Sequence, residues 1–224
     1  MSASELTIVG ASMSTFTRTI RMALDHLKVP YKVIQAFPHS AELKPYTPYG
    51  KVPVLLVPGR AKPMIESLVI RTYIDGTYGS NRLTPNDLES QLVVNYWISV
   101  VGDHVFKNLI FGIAKPRDYL EQKGATEQAI QEKIKPAMNL ALRTLTNLND
   151  ALGDEHVGPY ICGDQLTWAD LYLYPPMADL YSLPEADLFK KTAPKVWRWY
   201  QHFEQLDLAK GTYDGTVAQQ RSLL

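Results

Sequence analysis

The stretch KPYTPYGKVPVLLVPG, residues 44–59, ends in an apolar run that is typical of a buried strand. Pro53 stands at the leading edge of this run, and proline cannot donate a hydrogen bond to a neighbouring strand. We therefore expect Pro53 to open a strand over residues 54–57. Lys51 and Val52 then lie at the strand entrance, where their backbone groups could bind an extended peptide. The alternative is that Pro53 only ends a Tyr-Gly turn.

Before this strand, the chain alternates between strand and helix signals. Residues 6–9 and 31–34 are short and β-prone, and apolar residues between them recur at helical spacing. Arg18, Arg21 and Asp25 lie off that apolar stripe, so we expect them on the solvent side of an amphipathic helix. The order strand, helix, strand predicts a parallel pair joined by a right-handed crossover.

After this strand, a turn at Pro58-Gly59 predicts a hairpin with residues 62–65, and Ser67 is placed to cap the next helix. Beyond residue 80 the strand signals stop and long helical periods take over. We therefore expect an α/β domain over residues 1–80 and an all-helical domain over residues 87–224. The apolar stripes of the helical domain, which include Leu92, Val93 and Tyr96, are expected to be mostly core.

The segment GDQLTWADL predicts a helix start, because Thr167 is followed three residues later by Asp170, as in a capping box. Asp170 is therefore expected to serve folding and not catalysis. The prolines Pro175-Pro176 should kink or shorten the helix that begins here. The polar tail from Gly211 onward is expected to be loosely held.

Composition narrows the function classes. The chain has 224 residues, 46% of them hydrophobic, which suffices for substantial cores without disulfide bonds or structural metals. Its 23 basic and 23 acidic residues balance, so nothing marks a surface for nucleic acid or anionic membranes. No apolar run approaches a membrane span, and the N-terminal residues lack the pattern of a signal peptide, so we expect a cytoplasmic protein. Cys162 is the only cysteine, which excludes an internal disulfide, and the histidines form no recognisable metal-binding spacing with it; no metal is expected.

Four motifs in family order, MSTFTRTIRMAL, YGKVPVL, ESLVIRTYI and GDQLTWADL, span both predicted domains. Together they make the chain resemble a cytosolic glutathione S-transferase with a serine-type, phi- or theta-like active site. The resemblance implies a thioredoxin-like glutathione-binding domain followed by a helical domain that contributes the electrophile pocket. It also implies a cis peptide bond before Pro53.

The same resemblance implies a set of glutathione-binding residues. Val52 would pair its backbone with glutathione, while Glu66 and Ser67 would receive the γ-glutamyl end. The physical chemistry agrees, because a carboxylate suits the α-ammonium group, and a hydroxyl at a helix start suits the α-carboxylate. Lys51 could attract the glycine carboxylate. His39 lies one position from a carboxylate-binding histidine of the family, so we expect it to be an exposed loop residue.

The catalytic candidate among the hydroxyls before the first helix is Ser14, by its place in the family's serine pattern. Ser12, Thr15 and Thr17 are its neighbours of the same type. A serine at this position could also be a simple helix N-cap. Unlike cysteine, which family members acting in disulfide exchange usually carry here, serine cannot form a mixed disulfide.

The resemblance implies an enzyme that favours the glutathione thiolate and presents it to a small hydrophobic electrophile, or to a peroxide, with glutathione as co-substrate and no other cofactor. Its biological context would be detoxification, and its assembly a homodimer. A glutathione-transferase-like binding protein without catalysis is the alternative, because fold alone does not establish function. Candidates for the electrophile pocket are Met13, Tyr96, His104 and Phe111, which are equally suited to a core.

Overall fold

A computed structural model describes residues 5–79, 82–153 and 158–223. These described residues form one sheet of three strands in the order β2, β1, β3. The elements of this part are β1 (Leu6–Val9), α1 (Thr15–Leu27), β2 (Tyr31–Ile34) and β3 (Val54–Leu56). Strand β1 pairs in parallel with β2, which confirms the predicted parallel pair, and antiparallel with β3. The N-terminal part therefore has a thioredoxin-like arrangement.

Strand β3 starts directly after Pro53, as the sequence predicts, and ends one residue earlier than expected. Its predicted hairpin partner is reduced to a single isolated bridge between Leu55 and Met64. The two residues exchange backbone hydrogen bonds of 2.8 and 2.9 Å. The hairpin therefore exists, although its second arm is too short to count as a strand.

Helix α2 (Ser67–Ile74) begins one residue earlier than a Ser67 cap would require. Glu66 occupies the N-cap position, with φ 68° and ψ 121°, and its side chain forms no capping bond. The prediction of Ser67 as the cap is therefore wrong, because the backbone already turns helical at Ser67. A short π-helical segment, Asp75–Gly79, continues from α2.

From residue 82 onward the described residues contain helices and turns, apart from one isolated bridge between Tyr160 and Gly163. This confirms the change from α/β to all-helical structure, while residue 80, where the first domain is predicted to end, lies outside the described residues. The helices are α3 (Leu88–Val100), a π-helical segment (Val101–Ala114), α4 (Lys115–Gln122), α5 (Glu127–Ala151), α6 (Trp168–Tyr181), α7 (Ala186–Thr192), α8 (Pro194–Phe203), α9 (Asp207–Gly211) and α10 (Val217–Ser222).

Helix α6 forms the centre of the helical part, and every residue from Trp168 to Leu180 is buried. The predicted capping box is present: Asp170 accepts hydrogen bonds from the Thr167 amide (2.9 Å), the Ile161 amide (2.8 Å) and the Trp199 indole (2.9 Å). Of the two predicted effects of Pro175 and Pro176, a kink or a shortened helix, the shortening does not occur, because α6 continues to Tyr181. Packing on all sides compensates for the hydrogen bonds that they remove.

Two further expectations fail for one shared reason. Arg18 is 1% exposed instead of lying on the solvent side of α1. Its guanidinium donates to the Ala209 carbonyl (3.0 Å) and the Thr212 hydroxyl (3.2 Å). The chain after Gly211 is consequently packed instead of loose, and its Val217 is buried.

The expected apolar stripe of α3 is only partly core. Val94 and Trp97 are buried, whereas Leu92, Val93 and Tyr96 are 53%, 44% and 51% exposed. Periodicity alone could not distinguish the two faces, because both carry apolar residues. Among the described helices, none has the length and apolar character needed to cross a membrane.

Candidate glutathione-binding site

Three chain segments meet at one edge of the sheet. Because β1 and β3 are antiparallel and pair Val9 with Val54, the end of β1 lies beside the beginning of β3. The loop after β1 leads to Ser14, and Pro53 immediately precedes β3. The third segment is the one that follows Met64, which the bridge between Leu55 and Met64 holds against β3.

Val52 presents an unpaired backbone at this edge. The Val52-Pro53 peptide bond is cis, as the family resemblance implies. Val52 is half-buried, and neither its amide nor its carbonyl forms a hydrogen bond within the described parts of the chain. Unpaired backbone groups at a strand end are the features that bind an extended peptide by strand addition.

Glu66 and Ser67 follow the hairpin arm that pairs with β3. From the Leu55–Met64 bridge, one arm runs back towards Pro53 and Val52 and the other runs on to Glu66 and Ser67. The positive φ of Glu66 is uncommon for a residue other than glycine, and such strained positions occur most often at functional sites. An exposed carboxylate here adjoins the unpaired amides of the first turn of α2.

The far side of this segment faces the helical part of the chain. Burial raises the pKa of Tyr172, on α6, to about 12, and the neighbouring Ser67 side chain opposes part of that rise. Tyr172 also contacts Phe16 of α1 edge-on, with ring centroids 6.0 Å apart. The site therefore lies where the sheet edge meets the central helix.

Ser14 is the N-cap of α1. Its Oγ accepts a hydrogen bond of 3.3 Å from the Thr17 amide, so the capping alternative raised by the sequence is a fact of the structure. A hydroxyl also has one proton to donate, and within the described residues the Ser14 proton is not used. Because Ser14 is half-buried, capping and donation to a ligand are compatible.

The neighbouring hydroxyls are placed differently. Thr15 and Thr17 are buried, at 7% and 0% exposure. The Ser12 Oγ accepts long hydrogen bonds from Arg21 (3.4 Å) and Gln35 (3.3 Å), which direct it towards β2. Ser12 and Ser14 are both half-buried, and neither donates its proton within the described residues. They differ because the Ser12 Oγ is held by Arg21 and Gln35, whereas the Ser14 Oγ stands at the start of α1.

His39 lies beside Lys51, although the sequence indicates only an exposed loop residue. It is exposed, but its amide donates to the Gly50 carbonyl (2.8 Å), and its ring packs so tightly on Gly50 that a Cβ there would clash. His39 has φ 61° and Gly50 has φ 64°. The contact joins residues eleven positions apart through the loop fold, so no local sequence signal could have revealed it.

The electrophile-pocket candidates separate into two groups. Phe111 contacts Phe106, which contacts Phe16, with ring centroids 4.9 Å apart in both pairs. Phe16 lies two residues after Ser14, and Met13 adjoins Ser14 and is half-buried. The sequence singles out Phe111 but not Phe106, so the link from Phe111 to Phe16 was missed.

Tyr96 and His104 lie elsewhere. Both are exposed and line a groove of about 260 Å³ against α5, together with residues such as Leu140 and Arg143. The aromatic row that reaches α1 does not include them. Within residues 5–79, 82–153 and 158–223, no group of three potential metal ligands is present.

Two family models match the chain. The model for the glutathione S-transferase N-terminal domain matches residues 8–82, and the model for the glutathione S-transferase C-terminal domain matches residues 127–202. Together they cover more than half of the sequence. The chain belongs to the glutathione S-transferase family, which confirms the family and the enzyme class that the resemblance implies, with glutathione as co-substrate. The serine-type, phi- or theta-like active site stays a prediction.

Individual relatives agree with this family. Glutathione S-transferase U1 of Arabidopsis thaliana is 26% identical over 211 residues, covering 91% of this chain and 86% of that protein. A diazinon-metabolizing glutathione S-transferase of the silkworm Bombyx mori has a TM-score of 0.77 at 21% identity, covering 97% of this chain and 100% of the other. A glutathione transferase homologue of Drosophila mojavensis, solved with bound glutathione, has a TM-score of 0.76 at 24% identity, covering 98% and 95%. The two structures confirm the predicted fold.

Proposed function

We propose that the protein conjugates glutathione to a small hydrophobic electrophile, with Ser14 favouring the thiolate. The observation that carries this proposal is the unpaired backbone of Val52 beside Glu66 and the first turn of α2. A glutathione backbone extended along Val52 would place its γ-glutamyl end at Glu66 and Ser67. Its glycine carboxylate would point towards Lys51, next to His39.

The chemistry then needs one group at the sulfur. The Ser14 hydroxyl donates a hydrogen bond to the thiolate, and the thiol proton leaves to solvent. The sulfur attacks the electrophilic carbon and, for an aryl halide, halide leaves. The α1 N-terminus adds a smaller stabilisation of the anion. Met13 and Phe111 supply apolar surface for the electrophile, and Tyr96 and His104 are weaker candidates because they line the groove against α5.

The test has two stages. Retention on immobilised glutathione, with release by free glutathione, measures binding. Turnover of a chlorodinitrobenzene then measures conjugation. Binding with turnover supports the proposal, binding without turnover leaves a glutathione-binding protein without catalysis, and failure to bind removes the assigned site.

The carboxylate end of the ligand has its own test. Lys51→Ala and His39→Ala should each weaken the binding of glutathione. A residue that binds the glycine carboxylate should have no such effect when the ligand is γ-glutamylcysteine, which lacks the glycine. Lys44→Ala, also exposed in this loop, is the matched control. Equal affinity of both variants and the wild type would remove the two residues from the site.

The assembly proposed is a two-fold homodimer. Leu68 and Val69 of α2 are 54% and 51% exposed, and Leu92, Val93 and Tyr96 of α3 are exposed as well. The two helices are joined by a hydrogen bond of 2.8 Å from Arg71 to Asn95. Exposed apolar surface of this extent is typical of an interaction site. Sedimentation at micromolar concentration should give twice the chain mass of 25.3 kDa, and a Leu92→Glu variant should shift it to the monomer. A monomeric wild type would reject the dimer.

We also propose two domains, residues 1–80 and residues 87–224, and a cytoplasmic location. Limited proteolysis tests the former, since first cleavage between residues 80 and 87 would support it. Fluorescence microscopy of a tagged chain tests the latter.

A further inference from the structure

The C-terminal segment, which runs from α9 to α10, touches the loop that leads to Ser14. Its Gly215 lies so close to Ser12 that a Cβ on Gly215 would stand 2.8 Å from the Ser12 Cβ and 3.2 Å from the Ser12 Oγ. A carbon atom at that distance would overlap the serine side chain. Gly215 also has φ 77°, in the left-handed region that other residues rarely adopt. Two separate features of the backbone therefore require glycine here.

Ser12 occupies the middle of a tight turn whose last residue is Ser14. The Ser14 amide donates a hydrogen bond of 3.0 Å to the Ala11 carbonyl, which closes a four-residue turn around Ser12 and Met13. Because the turn is closed by this bond, a shift of Ser12 moves Ser14 as well. The place of the Ser14 hydroxyl therefore depends on the contact between Ser12 and Gly215.

The C-terminal segment is the firmer side of this contact, because it is anchored on both sides of Gly215. Before Gly215, the buried guanidinium of Arg18 donates a hydrogen bond of 3.2 Å to the Thr212 hydroxyl. After Gly215, Arg221 donates a hydrogen bond of 3.2 Å to the Ser182 carbonyl. Both anchors tie the segment to other helices, so it resists displacement.

The turn before α1 is the weaker side. Ser12 and Met13 are half-buried. The Ser12 Oγ accepts long hydrogen bonds, of 3.4 Å from Arg21 and 3.3 Å from Gln35. Added bulk at position 215 should therefore displace the turn and leave the C-terminal segment in place.

We propose that Gly215 is a positioning residue for Ser14. By leaving room for Ser12, glycine lets the turn stand where the Ser14 hydroxyl reaches the sulfur of bound glutathione. The C-terminal segment thus takes part in conjugation by acting through the turn, and it needs no contact with glutathione. This inference rests on the proposed role of Ser14, and its test separates the two.

The first measurement compares Gly215→Ala with the wild type, using glutathione and a chlorodinitrobenzene. Gly215→Ala should lower kcat about ten- to hundred-fold, because a misplacement of about 1 Å at a reacting group costs up to that much. It should also raise the thiol pKa of bound glutathione towards the value in Ser14→Ala. The KM for glutathione should stay unchanged, since Val52 and Glu66 lie on other segments.

A second substitution shows whether the overlap with Ser12 is the cause. Ser12→Gly removes the Cβ that the new methyl group would meet, so Gly215→Ala should have little effect on kcat or thiol pKa in that background. Ser12→Ala keeps the Cβ, so Gly215→Ala should retain its full effect there. A purely structural role of Gly215 would not distinguish the two backgrounds.

Gly59→Ala is the matched control for the positive φ. Gly59 has φ 78°, and no neighbouring group in the described chain lies within 4 Å of the place that its Cβ would take. Gly59→Ala and Gly215→Ala therefore carry the same backbone strain, and the overlap is added in Gly215→Ala alone. Gly59→Ala should keep the wild-type kcat and thiol pKa.

Each contrary result has a distinct meaning. Unchanged kcat and thiol pKa in Gly215→Ala, with an effect in Ser14→Ala, would overturn this inference and leave the proposed function intact. Equal effects of Gly215→Ala with Ser12 and with Ser12→Gly would overturn it as well. No effect of Ser14→Ala on the thiol pKa would reject both the role of Ser14 and its positioning. If Gly215→Ala alone does not fold, a folded and active double variant with Ser12→Gly supports the proposal, and an unfolded one overturns it.

Discussion

The guanidinium carbon of Arg18 lies 4.8 Å from the centroid of the Tyr174 ring, which joins helix α1 to helix α6 by a cation–π contact. Arg18 follows Ser14 by one helical turn, and its other contacts are to Ala209 and Thr212. One buried side chain therefore links the helix that begins at Ser14, the central helix and the C-terminal segment.

Arg18→Met should destabilise the protein by about 2 to 4 kcal/mol, because it leaves the Ala209 carbonyl and the Thr212 hydroxyl without their charged donor. Urea denaturation measures the change. Arg143→Met, at an exposed position of α5, is the control and should change stability by less than about 0.5 kcal/mol. Equal stability of the two variants would show that Arg18 does not hold these elements together.

Arg117 forms a second ionic centre in the helical part. Its side chain is fully buried and binds Glu121 (2.9 Å), Glu127 (2.6 Å) and Glu185, which come from α4, α5 and the start of α7. Arg117→Met should cost about 3 kcal/mol in urea denaturation, since it leaves the buried Glu185 carboxylate without its charged partner, while Glu121 keeps Arg221. Arg60→Met, in an exposed turn, is the control.

This loss should depend on pH. The Arg117 hydrogen bond lowers the pKa of Glu127 to about 2, and those of Arg221 and Arg117 lower that of Glu121. Depressed carboxyl pKa values stabilise the folded state above the unfolded pKa, near 4.3, and this stability is lost as pH falls through the folded value. The difference between wild type and Arg117→Met should therefore shrink below about pH 4. A constant difference down to pH 2 would contradict the ionic explanation.

For Asp179, on the buried helix α6, we expect the opposite dependence of folding stability on pH. Burial raises its pKa to about 7, with Lys115 and Arg18 opposing the rise and Asp118 adding to it. Between about pH 4 and 7 the folded state then holds one more proton than the unfolded chain, so this group's contribution to stability falls as pH rises.

Asp179→Asn removes that ionisation, and its stability relative to wild type should rise between pH 4 and 8 by up to about 4 kcal/mol, at roughly 1.36 kcal/mol per pKa unit. Urea denaturation at several pH values measures this, with Asp187→Asn as the exposed control. A stability difference that does not change with pH would show that Asp179 is not protonated in the fold.

The sequence predicts the sheet edge well and the helical interior poorly. Pro53 carries its own signal, because a residue without an amide proton restricts where a strand can begin. For Arg18 the sequence predicts the wrong environment. A charged residue off an apolar stripe is expected to be exposed, and the partners that bury it, Ala209 and Thr212, are too distant in sequence to be predicted. The contact between His39 and Gly50 requires a positive φ at both residues, and the sequence does not predict a positive φ for a histidine.

The same distinction applies within the site. Ser14 and Val52 could be proposed from the sequence because the family resemblance points to them and because they stand at the ends of regular elements. The row from Phe16 to Phe111 could not, because apolar residues that face a pocket and apolar residues that fill a core have the same helical period.

Glu66→Ala should weaken glutathione binding by roughly one to two orders of magnitude. It removes the carboxylate proposed to accept from the α-ammonium group, and a lost charged hydrogen bond costs about 1.5 to 3 kcal/mol. Alanine keeps a Cβ at this positive-φ position, so the backbone strain is the same in both proteins. Calorimetry with glutathione measures the change, and Glu132→Ala, an exposed carboxylate on α5, is the control. An unchanged dissociation constant would remove Glu66 from the site.

Ser14→Ala should separate binding from chemistry. A free cysteine thiol has a pKa near 8.5, so most of it is protonated at neutral pH. If the Ser14 hydroxyl stabilises the thiolate by about 1.5 to 3 kcal/mol, it lowers the pKa of bound glutathione by about one to two units. The variant should therefore keep most of its affinity for glutathione, raise the thiol pKa and lose most conjugation near pH 7.

Two further variants fix the assignment. Ser14→Cys should also lose conjugation while gaining some disulfide exchange, because its sulfur can attack a disulfide. Ser12→Ala should leave the thiol pKa unchanged, since the Ser12 Oγ is engaged by Arg21 and Gln35. Loss of the Ser14 cap costs about 1 kcal/mol of stability. The thiol pKa of each variant is therefore measured without denaturant, after urea denaturation has confirmed that the variant is folded. Thiolate absorbance of the bound complex, titrated in each variant, decides between the hydroxyls: a shift confined to Ser12→Ala moves the active residue to position 12, and no shift in either variant rejects serine activation.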